Sequence, residues 1–275
     1  MTDRYVVAGN PIKHSKSPEI HAAFAKATGQ DLTYSTLMPE VGQFDQTATA
    51  FFNDGGLGMN VTVPFKLDAF ALAKHATERA RLAGAVNTLY LNDQNEICAD
   101  NTDGFGLLRD VTVNYQVPVA GKRILILGAG GAVRGVLKPF LDERPSEIVI
   151  ANRTVSKAQA LADQFADYGN VSACGFDACA GVFDLIINGT SASLSGDLPP
   201  VPAEVIGPNT VCYDMMYGAK PTPFMAWALD QGAAQAIDGL GMLIEQAAEA
   251  FTIWRGVRPD TTDVTRSIRN QLTTV

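Results

Sequence analysis

The stretch that decides the fold of this chain is Ile124-Leu125-Ile126-Leu127-Gly128-Ala129-Gly130-Gly131-Ala132. Its four apolar residues predict a short buried strand, and the five small residues that follow predict a tight turn. A helical pattern comes next, and a second apolar run over residues 148–150 predicts another strand. Strand, glycine turn, helix and strand form the βαβ unit that binds a dinucleotide, because the turn lets the backbone approach a pyrophosphate at a helix N-terminus.

The residues after the second strand indicate which dinucleotide is bound. An NAD site carries an acid there for the ribose hydroxyls, whereas an acid would repel the 2′-phosphate of NADP. This chain has Asn152, Arg153 and Thr154 at that place, with Thr154 predicted as the N-cap of the next helix and Lys157 in its first turn. These residues predict a phosphate clamp and favour NADP. The alternative is a solvated basic turn, and Val133 at the third glycine position predicts a wider spacing of helix and strand.

Composition limits the function classes. The chain has 275 residues, of which 47% are hydrophobic and 18% charged, as expected for a well-packed globular protein of one large or two modest domains. Its net charge of −8 argues against a nucleic-acid or anionic-membrane binder. The four cysteines show no metal-ligand spacing, and we see no signal peptide and no membrane-spanning run. We therefore expect a metal-free cytoplasmic protein with a small-molecule partner.

The segment before the glycine turn has three polar clusters at predicted strand or turn boundaries. Ser15 and Ser17 stand at a predicted helix start and suit a carboxylate, although Ser17 as a simple N-cap before Pro18 is the alternative. Asn60 and Thr62 share one face of a strand predicted over residues 59–63, and Lys66 lies just beyond it, with a solvated lysine as the alternative.

The third cluster is Asn87 with Asn101-Thr102-Asp103, for which ordinary turn chemistry is the alternative. Further along the chain, two more buried strands are predicted over residues 184–188 and 211–216. Polar loops follow them at Gly189-Thr190-Ser191 and Tyr217-Gly218, where an open parallel sheet forms its ligand crevice. A long helix containing Met242 and Gln246 follows Gly239-Leu240-Gly241.

Several of these motifs, taken in order, resemble the shikimate dehydrogenase family. They are residues 9–18, 60–66 (Asn-Val-Thr-Val-Pro-Phe-Lys), 84–88, 101–104, 128–131, 151–154, 188–191 and the Gly239-Leu240-Gly241-Met242 turn before Gln246. The resemblance implies an α/β protein of two domains. Residues 1–103 would form a substrate domain and residues 104–238 a Rossmann-type, doubly wound NADP domain. Residues 239–275 would be helices that pack back on the first domain, with the active site in the cleft.

The resemblance also implies residue roles. Lys66 and Asp103 would be the catalytic pair that moves the proton while a hydride passes between substrate and nicotinamide. Substrate binding would fall to Ser15, Ser17, Asn60, Thr62, Lys66, Asn87, Asp103, Tyr217 and Gln246. NADP would be bound by Gly128, Ala129, Gly130, Gly131, Ala132, Asn152, Arg153, Thr154, Lys157, Thr190, Ser191, Met215, Gly239 and Met242.

The implied reaction is the reversible, NADP-dependent reduction of 3-dehydroshikimate to shikimate, in the pathway to chorismate and the aromatic amino acids, by a monomer or homodimer. One alternative is a relative that also oxidises quinate, with relaxed cofactor use. Another is a non-catalytic sensor of shikimate or nucleotide, whose signature would be loss of Lys66 or Asp103. A third is a folate-type or amino-acid dehydrogenase of the same two-domain plan, against which Ser15, Ser17 and the 60–66 motif weigh.

Overall fold

The computed structural model describes residues 2–192 and 196–274. The chain divides into two compact units, one made of residues 1–106 and 244–266 and the other of residues 107–243 and 267–275. The domain boundaries predicted from the sequence lay at 103/104 and 238/239. The observed division assigns the start of the long C-terminal helix and the last nine residues to the second unit.

In the part of the first unit that the structure describes there are six strands, β1 (Asp3–Ala8), β2 (Leu32–Leu37), β3 (Gly56–Val61), β4 (His75–Ala76), β5 (Thr88–Leu91) and β6 (Ile97–Asp100). They form one mixed sheet in the order β2-β1-β3-β5-β6-β4. The pairs β1–β2, β1–β3 and β4–β6 are parallel, whereas β3–β5 and β5–β6 are antiparallel. A core that includes Phe44, Phe52, Met59 and Phe65 packs against this sheet.

The helices of the first unit are α1 (Ser17–Thr28), α2 (Phe44–Asn53), α3 (Lys66–Leu72) and α4 (Glu78–Ala83). Helix α5 (Asp103–Arg109) crosses the boundary and continues as a π-helical turn over Asp110–Asn114, and α9 (Leu240–Arg255) and α10 (Thr262–Thr274) also contribute to both units. Helix α1 ends at Gly29, whose φ of 66° and backbone N–H to the Ala25 and Lys26 carbonyls complete the C-terminus.

The described residues of the second unit form six parallel strands, β7 (Arg123–Leu127), β8 (Glu147–Ala151), β9 (Val171–Cys174), β10 (Leu185–Asn188), β11 (Val211–Asp214) and β12 (Gln235–Asp238). Their order is β12-β11-β10-β7-β8-β9. Read from the other edge and numbered within the unit, this is 3-2-1-4-5-6, the doubly wound order of the Rossmann fold. The helices α6 (Gly131–Asp142), α7 (Val155–Phe165) and α8 (Pro223–Asp230) complete the unit.

The glycine turn lies between β7 and α6, as predicted. Gly128 has a φ of 107°, a conformation that favours glycine. Val133 stands at the third position of the glycine motif, and Gly189, which follows β10, leaves room for its side chain. A Cβ atom at Gly189 would lie 2.5 Å from a Val133 methyl group, so the missing side chain at Gly189 leaves room for the valine.

One local prediction was wrong, one alternative is excluded, and the Thr154 N-cap is confirmed in its position. The strand expected over residues 59–63 is β3, which ends at Val61, so Thr62 lies beyond the strand and the period-two argument does not apply to it. Ser17 is the first residue of α1 with Lys16 at the N-cap, which excludes the simple N-cap interpretation of Ser17. Thr154 does occupy the N-cap position of α7, but its side chain makes no capping hydrogen bond.

Candidate active site

A cavity of about 670 Å³ lies in the second unit, at the carboxyl ends of the strands that flank the glycine turn. Helix α6 begins here at Gly131 with no side-chain cap, so its first N–H groups are available to an anion. A Cβ atom at Gly130 or Gly131 would meet nothing within 4 Å, which shows open space beside the turn. A glycine cradle, a helix N-terminus and the Arg153 guanidinium at one cavity fit a dinucleotide phosphate group.

The cavity includes many of the predicted cofactor residues. Its lining comprises Gly128, Ala129, Gly130, Gly131, Ala132, Asn152, Arg153, Phe176, Gly189, Thr190, Ser191, Ala192, Asp197, Leu198, Pro199 and Pro200. Among the described residues, Thr154, Lys157, Met215, Gly239 and Met242 do not line it. Phe176 lines the cavity without a signal in the sequence, because it lies in a short 3-10 turn after β9, a strand that has no clear alternation of buried and exposed residues.

The predicted nicotinamide turn, Gly239-Leu240-Gly241-Met242, follows β12 in the same unit. Its first glycine donates its N–H to the Met216 carbonyl at 3.0 Å, and a Cβ atom at Gly239 would overlap the Met215 carbonyl. A Cβ atom at Gly241 would overlap the carboxylate of Asp110. The two glycines of the motif are therefore required by close packing.

Lys66 and Asp103 form an ion pair in the first unit. The Lys66 Nζ atom lies 2.5 Å from Asp103 Oδ2, with 31% and 15% of the respective side chains exposed. Both residues begin helices, α3 and α5. A helix N-terminus favours a carboxylate and disfavours a cation. The dipole of α3 therefore disfavours the Lys66 ammonium group, and the Asp103 carboxylate stabilises it there.

Asn87 connects this pair to the rest of the site. Its Nδ2 atom lies 2.8 Å from Asp103 Oδ1, 2.8 Å from Thr102 Oγ1 and 3.1 Å from Gln246 Oε1. A carboxamide has only two hydrogens to donate, so the site holds more acceptors than Asn87 can serve at one time. A ligand hydroxyl is the donor that such a site is suited to bind.

The segment before α5 fixes Asp103. Asn101 Oδ1 accepts the Asp103 N–H at 3.1 Å, and Asn101 Nδ2 donates to the Ala85 carbonyl at 3.0 Å. Asp100 is 4% exposed and accepts two hydrogen bonds of 2.7 Å from Arg79. The turn chemistry considered as an alternative for Asn101 is present, and it orients the carboxylate that pairs with Lys66.

The side-chain carboxamide of Asn60 forms hydrogen bonds mainly with other groups of the protein. Its Nδ2 donates to the Asn87 carbonyl at 3.1 Å and to Thr88 Oγ1 at 3.2 Å, and its Oδ1 accepts the Tyr34 hydroxyl at 2.8 Å. Its remaining capacity is as an acceptor. Tyr34 is a site residue that the sequence did not indicate; its side chain is half-buried, and desolvation of the hydroxyl raises its pKa well above its usual range.

His21 stacks on the Tyr34 ring at 4.1 Å between centroids, and Phe24, Phe251 and Trp254 surround it. The side chain is 1% exposed, and neither ring nitrogen has a partner of hydrogen-bond geometry. Burial lowers the pKa of His21 to about 3, an effect that Asn60 opposes in part. The imidazole is therefore neutral and supports Tyr34 through packing.

The remaining predicted substrate residues lie in both units. Ser15 Oγ accepts the Ser17 N–H at 3.3 Å at the start of α1, and Thr62 donates its N–H to the Ala8 carbonyl at the end of β1. Tyr217 belongs to the second unit and is 38% exposed, and burial of its hydroxyl raises its pKa.

Neither a metal-binding cluster nor a membrane-spanning helix occurs within residues 2–192 and 196–274. No group of three or more His, Cys, Asp or Glu side chains has the geometry to hold a metal ion. No helix there combines the length and the apolar character that crossing a membrane requires.

Three family descriptions match the chain in order. "Shikimate dehydrogenase substrate binding domain" matches residues 7–89, "Shikimate / quinate 5-dehydrogenase" matches residues 112–195, and "Shikimate 5'-dehydrogenase C-terminal domain" matches residues 239–269. Together they match most of the chain and both of its units.

Individual proteins are similar over the whole length. The chain is 56% identical over 269 residues to a shikimate dehydrogenase (NADP(+)) of Alkalilimnicola ehrlichii, covering 98% of this chain and 99% of the relative. An Ael1 enzyme of Pseudomonas putida is 49% identical with a TM-score of 0.92, covering 99% of this chain and 98% of that structure. A Thermus thermophilus shikimate 5-dehydrogenase, solved with NADP(H) and shikimate, is 29% identical with a TM-score of 0.85, covering 98% and 99%. The chain belongs to the shikimate dehydrogenase family.

Proposed function

We propose that this chain is an NADP-dependent shikimate dehydrogenase that reversibly reduces 3-dehydroshikimate to shikimate. The observation that carries the proposal is the Lys66–Asp103 ion pair, joined through Asn87 to Gln246 in a cluster of hydroxyl-binding groups. A ketone reductase needs a proton donor beside groups that hold the substrate hydroxyls, and this cluster supplies both. Two of the relatives reported above, which are of similar length, are described as shikimate dehydrogenases and with NADP as the nucleotide.

Proton transfer is assigned to Lys66 Nζ. Bound NADPH would supply the hydride for the carbonyl carbon. Lys66 would give a proton from its Nζ atom to the carbonyl oxygen, where negative charge develops. Asp103 Oδ2 accepts a hydrogen bond from Lys66 Nζ and orients the ammonium group. Asn87 holds the other carboxylate oxygen of Asp103 at 2.8 Å, which fixes the pair before substrate binds.

The other polar residues of the first unit bind the ring substituents. Asn60 contributes an acceptor, because both of its amide hydrogens are already used within the protein. Ser15 and Ser17, with Tyr217 of the second unit, are proposed to hold the carboxylate. Hydroxyl donors without an arginine give modest affinity and permit release of the product.

The cavity at the glycine turn is proposed to bind NADP(H). Gly128 to Ala132 and the N-terminus of α6 would contact the pyrophosphate, and Arg153 with Asn152 would bind the 2′-phosphate. No acid follows β8 at Asn152-Arg153-Thr154, which favours NADP over NAD. Gly239 and Met242 are proposed to lie near the nicotinamide.

A panel of two nucleotides against two substrates tests this proposal. We expect kcat/KM with NADP and shikimate to exceed the values for NAD with shikimate and for NADP with quinate by at least tenfold. Comparable values with quinate or NAD would instead support the broader quinate/shikimate activity. No turnover in any combination, with nucleotide still bound, would support a sensor. The cytoplasmic location and the monomeric or dimeric state stay predictions of the sequence.

A further inference from the structure

We propose that Asp110 and Tyr213 are positioning residues, a buried pair that holds the Gly241–Met242 segment in the geometry that hydride transfer requires. The inference rests on the proposed function, which places Met242 near the nicotinamide. Both residues lie in the second unit, Asp110 in the π-helical turn after α5 and Tyr213 in β11. Neither lines the dinucleotide cavity.

The hydrogen bonds form a chain that runs from the Met242 backbone through the Tyr213 hydroxyl to the Asp110 carboxylate. The Tyr213 hydroxyl donates to Asp110 Oδ2 at 2.7 Å and accepts the backbone N–H of Met242 at 3.3 Å. Asn114 Nδ2, one π-helical turn from Asp110, donates to Asp110 Oδ1 at 2.8 Å. Both carboxylate oxygens are thus engaged, and the phenol oxygen directly contacts the backbone of the predicted nicotinamide turn.

Burial makes this arrangement rigid. Tyr213 is 0% and Asp110 1% exposed, so water cannot readily replace either partner. Burial and the nearby Asp110 charge raise the pKa of Tyr213 well above 10, and its hydroxyl therefore remains the donor to Asp110. A π-helical turn is rare in proteins, and here it places the Asp110 carboxylate against Gly241 of the predicted nicotinamide turn.

The glycine at position 241 shows how closely the carboxylate approaches. A Cβ atom there would overlap the Asp110 carboxyl group, so this approach is possible only without a side chain. On the other side of the turn, Asp238 accepts a hydrogen bond of 2.7 Å from Arg269 and one of 3.3 Å from the Leu240 N–H. Arg269 therefore holds the start of this turn through Asp238. Tyr213 and Asp110 hold its end, where Met242 lies.

The test compares Tyr213→Phe, Asp110→Asn and their double variant with Thr210→Val. Thr210 lies immediately before β11, at the end of the strand that is farther from Tyr213. Its buried hydroxyl donates to the Phe183 carbonyl at 2.6 Å and accepts the Gly207 N–H at 2.8 Å. Thr210→Val therefore removes a buried hydroxyl of the same unit without touching the turn. Amide hydrogen exchange of residues 239–243 in the cofactor-free protein is the first readout. The second combines kcat, KM and the deuterium isotope effect with NADPH labelled at the transferred position.

We expect Tyr213→Phe to speed exchange at Met242 at least tenfold and to lower kcat about tenfold to a hundredfold. The isotope effect should rise because hydride transfer becomes slower, while KM for 3-dehydroshikimate stays within about twofold. Asp110→Asn should act in the same direction and still fold because it keeps the side-chain shape. The double variant should be no worse than the worse single variant, because both residues act through one contact.

Thr210→Val should lower the thermal midpoint but leave the exchange at 239–243 and the isotope effect unchanged. Unchanged exchange in both Tyr213→Phe and Asp110→Asn would overturn the proposal. Faster exchange with an unchanged kcat and isotope effect would overturn it too, since the turn would then not need to be held. If the wild-type chain itself fails to turn over, the proposed function fails, and the exchange data still decide whether the pair holds the turn.

Discussion

Acidification should destabilise the first unit through His21 in particular. This imidazole is 1% exposed among aromatic rings, and its burial lowers its pKa to about 3, against 6.5 in an unfolded chain. Between these two pH values the unfolded state binds a proton that the folded state does not. The free energy of unfolding therefore falls as the pH falls below 6.5, and the loss is complete near pH 3.

The size of the effect follows from the pKa difference. A difference of one between the two pKa values is worth about 1.4 kcal/mol, so protonation of His21 removes about 2 kcal/mol at pH 5 and about 4 kcal/mol at pH 3. His21→Phe keeps an aromatic ring in the same position and cannot be protonated. Relative to wild type, the variant should gain about 2 kcal/mol between pH 7.5 and pH 5.

Urea unfolding followed by tryptophan fluorescence measures this difference. Trp254 lies 5.3 Å from His21 between ring centroids and belongs to the first unit, and Trp227→Phe as a background removes the only other tryptophan. Carboxylates that titrate in acid affect both proteins equally and cancel in the comparison. His14→Gln, at an exposed histidine, is the matched control and should follow wild type. A His21→Phe protein that loses stability in parallel with wild type from pH 7.5 to pH 5 would refute the reasoning.

Three further variants test the site. Lys66→Ala should lower kcat about 10²- to 10⁴-fold while NADPH affinity, measured by fluorescence titration, stays within about twofold; turnover near that of wild type would exclude Lys66 as the proton donor. Arg153→Ser should raise KM for NADPH about tenfold or more and leave KM for NADH unchanged, because only NADPH carries the 2′-phosphate; equal effects on both nucleotides would contradict the clamp. Gly189→Ala should cost about 1–3 kcal/mol in urea unfolding through contact with Val133, and adding Val133→Ala should restore most of it; additive losses would contradict this packing.

The fold of the second unit was readable from local sequence because its strands are short apolar runs and its turn is rich in glycine. The predicted sequence of strand, turn, helix and strand from Ile124 to Ile150 is confirmed. Strand β9 was missed because all four of its residues are only partly buried. Helix α2 was missed although its signal is present, since Phe44, Ala48 and Phe52 recur every four residues and are buried.

The site was predictable only as far as its residues occur in short motifs. Asn87 and Asp103 could be named because each lies in a recognisable turn. Their meeting with Gln246 depends on the fold, which joins positions 159 residues apart in sequence. Tyr34 gives no signal, because a tyrosine in a strand is equally typical of an ordinary core. The same holds for Tyr213, whose partners Asp110 and Met242 come from other elements.

The central claim is that this chain reduces 3-dehydroshikimate with NADPH through Lys66 and Asp103. Following the absorbance of NADPH with purified enzyme and 3-dehydroshikimate tests it most directly. We predict oxidation of one NADPH for each shikimate formed, with the reverse reaction measurable from shikimate and NADP. Absence of turnover at micromolar enzyme, with NADPH binding intact, would contradict the claim.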